Sequence, residues 1–369
     1  TGGRSAGASS FGWRAPGYPA PMGLRIGFLG AGFIARYHAM QLRLAVEAND
    51  IVAVFDPDPE RAAAFCDEES GLVVDSAQDV IASSDAVFVC TWTAAHLEGV
   101  REAVAAGRPV FCEKPLSTDV EGARELVDLV RGSGLPNAVG LVLRSTPAMH
   151  AMRELIRDPD SGRVMNVVFR DDQYLPTQGM YGSRWRGERT LAGAGTLLEH
   201  SIHDVDILEW LVGPLSSVSA HHDYFHGIDG IEDSVTVMTR FAEGGSGSLH
   251  SIWHEVLSRP SQRRVEVFCE HAMITLEGEF FGPVRRQTSD EELLLDGDQL
   301  IGWLQARDVD LRSTEQDFLV QVRNHLEGRP VIRVRPDVDD ALRAHEVIDA
   351  IYRSAASGVA VELDPSGAR

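Results

Sequence analysis

The stretch LRIGFLGAGFIA, residues 24–35, runs from an apolar segment through a glycine-rich turn into a helical pattern. Its turn has the spacing GxGxxA, in which Gly30 permits a tight bend and Ala35 permits close packing of helix against strand. Gly32 lets backbone amides reach a pyrophosphate, because any larger side chain would stand in the way. The stretch therefore predicts a strand–turn–helix unit that binds a dinucleotide. The alternative is a glycine-rich turn in some other α/β protein.

The helix after this turn begins at Phe33 and Ile34, whose backbone N–H groups and positive helix end favour an anion. Asp56 ends the next apolar run, where a carboxylate can accept hydrogen bonds from both ribose hydroxyls and repels a 2′-phosphate. Arg61 follows in the next helical segment and is the nearby candidate for a phosphate contact. We therefore expect NAD as the cofactor, in preference to NADP.

Outward from the turn, apolar runs alternate with helical segments. The runs lie at residues 24–30, 51–56, 86–91, 110–112 and 137–143, with helical spacing at 33–48, 59–68, 96–106 and 120–130. Strands separated by helices indicate βαβ units, and continuous Val, Ile and Phe runs are typical of strands buried on both faces. The fold class is therefore α/β, with a doubly wound parallel sheet in a Rossmann domain over residues 23–145.

The pattern changes near residue 145 to long alternating strands without helices between most of them. These strands are expected at 164–175, 216–225, 234–242, 246–256, 263–269 and 272–277, with one helix from Thr196 to Leu211 and an acidic loop at 288–298. Such runs predict a mostly antiparallel, open sheet in a second domain, 146–314, whose uncovered face self-associates into a homodimer or homotetramer. Residues 315–369 contain two amphipathic helices that we expect to pack near the first domain.

Composition excludes several classes of protein. The 369 residues carry a net charge of −21, which disfavours binding to nucleic acid or an anionic membrane. No apolar run reaches the roughly 18 residues of a membrane helix. The four cysteines contain no CxxC pair, so we expect reduced core thiols and a cytoplasmic protein. Residues 1–22 lack the apolar segment of a secretory signal and are expected to be a disordered or artificial arm.

The segment Glu113-Lys114-Pro115 directly follows the fourth strand. Ligands of open parallel sheets bind beyond the carboxyl ends of the strands, which is where Lys114 lies. Its ammonium group could hold a substrate oxygen, and partial burial would lower its pKa enough to let it relay a proton. The alternative is a surface Glu–Lys pair in a loop.

A second informative stretch is GAGTLLEHSIHDVD, residues 193–206. Glu199, His203 and Asp206 stand at positions i, i+4 and i+7, so they share one face if the helix is continuous. A buried glutamate beside a histidine raises the basicity of the ring and orients it, which makes His203 a candidate general base. His200 is expected to border the site. The alternatives are a structural polar network and a metal site, but the spacing lacks HExxH and we expect no metal.

These motifs together resemble the glucose–fructose oxidoreductase / inositol dehydrogenase (Gfo/Idh/MocA) family over residues 24–363. The resemblance rests on GxGxxA, Asp56, the segment AAGRPVFCEKPL at 105–116 and the glycine-rich start of the Glu/His helix. It implies a Rossmann domain followed by an α/β domain whose large open sheet mediates oligomerisation. It also implies oxidation or reduction of sugars, inositols and related polyols with NAD(P).

The resemblance assigns roles residue by residue. Lys114 and His203 match the catalytic lysine and histidine of the family, and Glu199 stands where many members have aspartate. On the cofactor side, the resemblance implies contacts from Thr91, Trp92, His96 and Glu113 as well as from Lys114. Trp92-Thr93 replaces the more common Pro-Asn of the family, so Trp92 either packs near the nicotinamide or belongs to the core. For the substrate, it implies contacts from Lys114, Arg144, Tyr181, Trp185, Arg186, Glu199 and His203.

The resulting functional hypothesis is reversible hydride transfer between a secondary alcohol and the nicotinamide ring. In it His203 accepts the hydroxyl proton, Glu199 orients His203, and Lys114 stabilises the charge that develops on oxygen. One alternative is redox-neutral cleavage of a glycoside with bound NAD, and another is a non-catalytic NAD(P)-binding regulator. Because the sequence has no concentrated basic cluster, an uncharged sugar or cyclitol is favoured over a sugar phosphate.

Overall fold

The computed structural model describes residues 23–366 except 260 and 279, so the arm expected at 1–22 lies outside the described residues. The first part of the chain forms a six-stranded parallel sheet in the order β3-β2-β1-β4-β5-β6. Its strands are β1 Leu24–Leu29, β2 Asn49–Phe55, β3 Leu72–Val73, β4 Ala86–Val89, β5 Val110–Cys112 and β6 Asn137–Val139. The strand order reverses between β1 and β4, which is where such sheets bind ligands.

Five helices cover this sheet. They are α1 Phe33–Arg43, α2 Pro59–Glu69, α3 Ala77–Ser83, α4 His96–Ala105 and α5 Val120–Ser133. The side chains of Asp58, Ser76 and Asp119 accept backbone N–H groups at the starts of α2, α3 and α5. Helix α1 is different, because it begins after Gly32 and no side chain caps it. The first-turn N–H groups of α1 are thus open to a ligand.

The remaining chain builds a nine-stranded sheet in the order β14-β13-β12-β11-β7-β10-β9-β8-β15. The strands are β7 Val164–Tyr174, β8 Leu215–Asp223, β9 Ser234–Phe241, β10 Ser246–His254, β11 Gln262–Cys269, β12 Met273–Glu277, β13 Val284–Gln287, β14 Glu292–Leu295 and β15 Val361–Glu362. Only β7 and β10 pair in parallel among these neighbours, so the predicted mostly antiparallel sheet is confirmed.

One face of the second sheet is covered by helices and the other is open. The later helices of the chain are α6 Pro147–Arg157, α7 Arg189–Ala192, α8 Thr196–Glu199, α9 Ile202–Val212, α10 Gly297–Gln305, α11 Thr314–Leu326 and α12 Val338–Ser357. Of these, α6, α8, α9, α10 and α12 pack on the second sheet. Val235, Val237 and Leu249 are buried beneath them, whereas Met238, in register with Ser248 on the other face, is exposed. This alternation is what a sheet with one covered face requires.

The last two helices join the halves of the molecule. Helix α11 packs against α1 and β6 of the first sheet. Helix α12 packs against α5 and β6 of the first sheet and also against α9 and β8 of the second. The C-terminal segment therefore contacts both sheets, and β15 adds an edge strand to the second one.

Two predictions about secondary structure were wrong. The acidic region 288–298 is not a simple loop, because β14 and the start of α10 fall within it. The helix expected from Thr196 to Leu211 is broken after Glu199, with His200 and Ser201 between α8 and α9. The hydroxyl of Ser251 on β10 holds Thr196 Oγ1 at 2.8 Å and Ser201 Oγ at 2.6 Å, so the sheet fixes the break.

The four cysteines are free thiols. Within the described part of the chain, no helix is long and apolar enough to cross a bilayer.

Candidate active site

A cavity of about 720 Å³ opens where the carboxyl ends of the parallel strands face the second sheet. Side chains from both halves of the molecule line it, so the site is formed between the two sheets. Of the predicted site residues, the cavity is lined by Gly30, Gly32, Phe33, Ile34, Asp56, Thr91, Trp92, Glu113, Lys114, Tyr181, Trp185, Arg186, Glu199 and His203.

The glycine turn forms the cofactor side of the cavity. Gly30 has φ +91°, and a Cβ there would lie 2.5 Å from the carbonyl oxygen of Cys90, so the bend itself requires glycine. A Cβ on Gly32 would meet no atom within 4 Å and would enter open space. Packing of the protein therefore does not require glycine at position 32, whereas a pyrophosphate beside the uncapped end of α1 would. The turn fits a dinucleotide.

Asp56 lies at the end of β2, next to this turn. Its Oδ2 accepts the N–H of Ala31 at 2.9 Å, and its Oδ1 accepts the N–H of Asp58 at 2.9 Å. Arg61 Nη1 lies 3.3 Å from Asp56 Oδ1, so this guanidinium is already paired with a carboxylate. A carboxylate fixed at this point suits the ribose hydroxyls of NAD and repels a 2′-phosphate.

Lys114 reaches across the cavity to the second half of the molecule. Its Nζ donates to the main-chain carbonyl of Glu199 at 2.8 Å. Burial lowers the pKa of Lys114, and Arg186 and Arg263 lower it further, although Glu113 acts in the opposite direction. Lys114 is also the single lysine of the whole chain, whose other 33 basic residues are arginines. Arginine keeps its proton at any physiological pH, so Lys114 is the one basic residue besides the histidines that can release and take up a proton.

The break between α8 and α9 determines what Glu199 does. Because the helix stops there, the carbonyl of Glu199 is free to bind Lys114. The carboxylate of Glu199 instead accepts Thr93 Oγ1 at 2.6 Å and Arg186 Nε at 3.3 Å. The structure shows no hydrogen bond between Glu199 and His203. The predicted shared helix face is wrong, and Glu199 does not orient the His203 ring.

His203 lies at the start of α9 and is 9% exposed. No hydrogen bond joins its ring to any other described residue, and its Nδ1 is buried without a partner. Burial lowers the pKa of His203 well below its ordinary value, and the charges of Lys114 and Arg263 and the nearby His200 lower it further. The ring is therefore neutral at pH 7, and it is available to a ligand in the cavity.

Three predicted site residues do not line the cavity. Ala35 is a fully buried residue of α1 and serves packing. His96 is also buried, with its ring nitrogens 2.8 Å from the carbonyl of Pro115 and 3.0 Å from that of Thr91, so it braces the loops behind the cofactor side. Arg144 was expected to contact substrate, but its Nε donates to Asp206 Oδ2 at 2.8 Å. The Arg144 prediction is therefore corrected: the residue joins the helical turn after β6 to α9.

The second sheet supplies cavity residues that the sequence did not single out. Gln173 on β7 and Trp253 on β10 are neighbours in the parallel register, and both line the cavity. The indole N–H of Trp253 and the hydroxyl of Thr91 are buried and have no hydrogen-bond partner in the described structure. Such groups suit the hydroxyls of a polar ligand. Only the pairing of β7 with β10 brings Gln173 and Trp253 together, and local sequence does not reveal that pairing.

Glu232 holds the glycine-rich start of α8 in place. Its carboxylate accepts the N–H of Gly195 at 2.7 Å and that of Leu197 at 3.0 Å. A Cβ at Gly195 would lie 1.8 Å from the carbonyl oxygen of Glu232, so this position also requires glycine. Among the residues that the structure describes, no cluster of three or more His, Cys, Asp or Glu side chains could hold a metal ion.

Comparison with known proteins agrees with this architecture. Residues 24–141 match the family described as "Oxidoreductase family, NAD-binding Rossmann fold", and residues 149–275 match the GFO/IDH/MocA C-terminal domain. The two matches together span more than half of the chain. The chain therefore belongs to the Gfo/Idh/MocA family of NAD-binding oxidoreductases, and the predicted resemblance is confirmed.

Curated relatives within this family match part of the chain. A 1,5-anhydro-D-fructose reductase from Ensifer adhaerens is 33% identical over 231 residues, which cover 61% of this chain and 68% of that protein. An inositol 2-dehydrogenase from Cereibacter sphaeroides is 34% identical over 194 residues, 52% of this chain and 54% of that protein. The chain thus matches about half the length of this inositol dehydrogenase.

Solved structures resemble the chain over nearly its full length. The WlbA dehydrogenase from Bordetella pertussis, in complex with NADH and UDP-GlcNAcA, has a TM-score of 0.77 at 22% identity and covers 94% of this chain and 99% of that one. A levoglucosan dehydrogenase in complex with NADH has a TM-score of 0.78 at 21% identity and covers 93% and 100%. At this level of identity, the two structures establish the fold alone.

Proposed function

We propose that the protein is an NAD-dependent dehydrogenase that oxidises a secondary alcohol of an uncharged sugar, inositol or related polyol, and reduces the ketone in the reverse direction. The observation that carries this proposal is the neutral, unpartnered ring of His203, which lines the same cavity as Lys114 and the glycine turn. A base, a cation and a dinucleotide cradle around one cavity are the groups that alcohol oxidation requires.

In this reaction NAD⁺, when bound at the glycine turn, supplies the acceptor for the hydride. His203 accepts the hydroxyl proton, because its lowered pKa keeps the ring neutral at pH 7. Lys114 holds the substrate oxygen and stabilises the negative charge that develops on it. Glu199 acts through its carbonyl, which fixes the ammonium group of Lys114 at 2.8 Å.

The lining of the cavity favours a neutral substrate. Two of its three arginines are already paired, Arg61 with Asp56 and Arg186 with Glu199, which leaves Arg184. Trp185, with the Arg186 guanidinium 4.5 Å from its ring centroid, and Trp253 add aromatic surface to the wall. Aromatic faces with polar edges suit a ring that carries both C–H and hydroxyl groups. The relatives named for inositol and anhydrofructose agree with this substrate class.

The test is a spectrophotometric screen at 340 nm that offers NAD and NADP separately with inositols, aldoses, 1,5-anhydro sugars and a sugar acid. We expect NADH to form with one neutral polyol and with NAD. Turnover of the sugar acid alone would contradict the neutral substrate class, and turnover with NADP alone would contradict the role given to Asp56. Cleavage of a glycoside without net NADH, or NAD binding without any turnover, would contradict the dehydrogenase itself.

We further propose that the open face of the second sheet forms a homodimer or homotetramer interface. Val168, Met238 and Phe268 stand on this face among charged side chains such as Arg264 and Glu266, and helices do not cover it. An exposed sheet face with apolar residues is typical of an interaction surface. Light scattering after size-exclusion chromatography should give a mass at least twice the 40.2 kDa of the chain, and a monomer at micromolar concentration would contradict the proposal.

A further inference from the structure

A fully buried histidine, His38 on α1, bridges two carboxylates behind the loop that carries Lys114. Its Nδ1 lies 2.6 Å from Glu315 Oε1, and its Nε2 lies 2.7 Å from Glu113 Oε1. His38, Glu113 and Glu315 are 0%, 4% and 1% exposed. A carboxylate oxygen can only accept unless it is protonated, so two such contacts call for a ring with both nitrogens protonated. The geometry indicates an imidazolium held between two glutamates.

Among the described groups that interact with Glu113, Lys114 is a cation, whereas burial lowers the pKa of His96 and keeps that ring neutral. The ring of His38 lies against Phe111, with the centroids 4.7 Å apart, and beside Tyr37. Burial raises the pKa values of Tyr37 and of the Cys90 and Cys112 thiols, and the two glutamates raise those of Tyr37 and Cys90 further, so these groups stay neutral. Burial opposes the charge of His38, yet its hydrogen bonds to the two glutamates raise its pKa to about 9.

Glu113 connects this bridge to the main chain of Lys114. Its Oε2 accepts the N–H of Lys114 at 3.1 Å, while its Oε1 contacts His38. A Cβ at Gly140 would lie 2.0 Å from Glu113 Oε1, so the carboxylate fills the available space. The Nζ of Lys114 is fixed separately by the carbonyl of Glu199. The main-chain N–H and the ammonium group of Lys114 are therefore both fixed, and His38 contacts the carboxylate that binds the N–H.

We propose that His38 is a positioning residue for Lys114, acting as the cation that fixes the Glu113 carboxylate between α11 and the Lys114 main chain. Glu315 anchors this cation from α11, a helix beyond the matched C-terminal domain that supplies no residue to the cavity lining. The C-terminal segment is thus part of the active-site support. The effect on turnover rests on the proposed function, whereas the coupling of His38 to Lys114 does not.

The single lysine of the chain makes this coupling directly measurable. Protein labelled with ¹³C-lysine gives one side-chain Cε signal, from Lys114, and no other lysine overlaps it. We expect that signal to show a second inflection near pH 9, where His38 loses its proton and Glu113 loses its cationic partner. His38→Gln should abolish this inflection. Glu315→Gln should move it to lower pH by about one unit or more, because one of the two neighbouring anions is gone.

Phe318→Leu is the matched control, because Phe318 stands on the same helix as Glu315 and packs on Phe88 and Phe111, but takes no part in the hydrogen bonds of the bridge. We expect the lysine signal of this variant to titrate as in the wild type. A wild-type Lys114 signal with no inflection near pH 9 would overturn the proposal, and so would an equal shift in Glu315→Gln and Phe318→Leu.

A kinetic measurement tests what the coupling does. In Glu315→Gln the alkaline limb of the kcat profile should move to lower pH by about the same amount, with the KM for NAD unchanged and Phe318→Leu like the wild type. A profile that does not move, despite a shifted lysine signal, would overturn the positioning role in turnover. If the lysine signal behaves as expected but no polyol is oxidised, the proposed function fails while the coupling of His38 to Lys114 stands.

Discussion

Two buried histidines in this molecule have opposite environments. His38 lies within the first domain between two carboxylates, and their hydrogen bonds raise its pKa to about 9 despite its burial. His203 lies at the wall of the cavity, where burial and the positive charges of Lys114 and Arg263 lower its pKa well below the ordinary value. The first ring is a fixed cation, and the second is a neutral base.

The difference shows that burial alone does not decide the state of a histidine. Desolvation lowers the pKa of both rings, and the sign of the neighbouring charges then separates them. Both rings lie near Lys114. His203 lines the same cavity, and His38 contacts the Glu113 carboxylate that accepts the main-chain N–H of Lys114.

Removal of the neutral base should have the largest effect. We expect His203→Ala to lower kcat by roughly 10²–10⁴-fold, the usual contribution of general acid–base catalysis, with NADH affinity nearly unchanged. Steady-state kinetics and NADH fluorescence titration measure the two quantities. His200→Gln is the matched control, because His200 lines the same cavity but its Nε2 lies 2.7 Å from Asp171 Oδ2. Equal losses in turnover and NADH affinity, or equal losses in both variants, would contradict the assignment.

Removal of the cation beside His203 should have the next largest effect. We expect Lys114→Met to lower kcat/KM by about 10²–10³-fold through lost stabilisation of the developing charge. The pKa of His203 should also rise, because Lys114 disfavours the protonated ring, so the acid limb of kcat/KM should move to higher pH. A pH–rate profile of the variant measures this shift. An acid limb that stays in place would show that burial, Arg263 and His200 keep His203 neutral without Lys114.

The first half of the fold could be predicted from sequence because its signals are local. Residues 24–35 carry the strand, the bend and the helix start in one segment, and the expected Rossmann sheet is confirmed. Strand β3 and helix α3 were missed. Strand β3 has only the two residues Leu72–Val73, both exposed, so no buried run marks it.

The site was harder to predict because distant partners shape it. The break after Glu199 contains no Pro or Gly, and it depends on Ser251, 50 residues from Ser201 along the chain. Periodicity therefore predicted one helix and paired Glu199 with His203. Composition also carries a signal for this site: the chain has a single lysine, and its place at the end of a parallel strand favours a functional role.

Removal of the buried cation should affect stability more than the chemical step, and in a pH-dependent way. Because the pKa of His38 is raised in the folded state, its stabilisation is fully present below its unfolded pKa of about 6.5 and is lost as pH rises through about 9. His38→Gln should therefore lower the free energy of unfolding by on the order of 3 kcal/mol at pH 6.5 and by much less at pH 9.5. Urea unfolding at both pH values measures the difference. Phe318→Leu should lower the free energy of unfolding by the same amount at both pH values. A pH-independent loss in His38→Gln would contradict a protonated His38 in the folded protein.

The smallest effect is expected from the carboxylate of Glu199. The Lys114 ammonium is bound by the main-chain carbonyl of this residue, which Glu199→Gln retains, and the ring of His203 makes no hydrogen bond to the carboxylate. The substitution removes the charge that faces Arg186, at 3.3 Å, while an amide oxygen can still accept the Thr93 hydroxyl. A hydrogen bond between charged groups contributes about 1.5–3 kcal/mol to stability, but this one involves neither His203 nor the Lys114 ammonium, so we expect kcat to fall by less than about tenfold.

Glu199→Gln also tests whether the carboxylate of Glu199 orients the ring of His203 during the reaction. If the carboxylate oriented His203 during the reaction, its loss would approach that of His203→Ala and would move the acid limb of kcat/KM to lower pH, because a neighbouring anion favours the protonated ring. We expect neither change, since the positive neighbours of His203 and its burial account for its low pKa. Kinetics of Glu199→Gln and Thr93→Val, measured side by side, distinguish two roles of the carboxylate. The first variant removes its charge, and the second removes its hydrogen bond to Thr93. Because the helix breaks after Glu199, this residue acts on the site through its main-chain carbonyl, which binds the Lys114 ammonium, and not through its carboxylate.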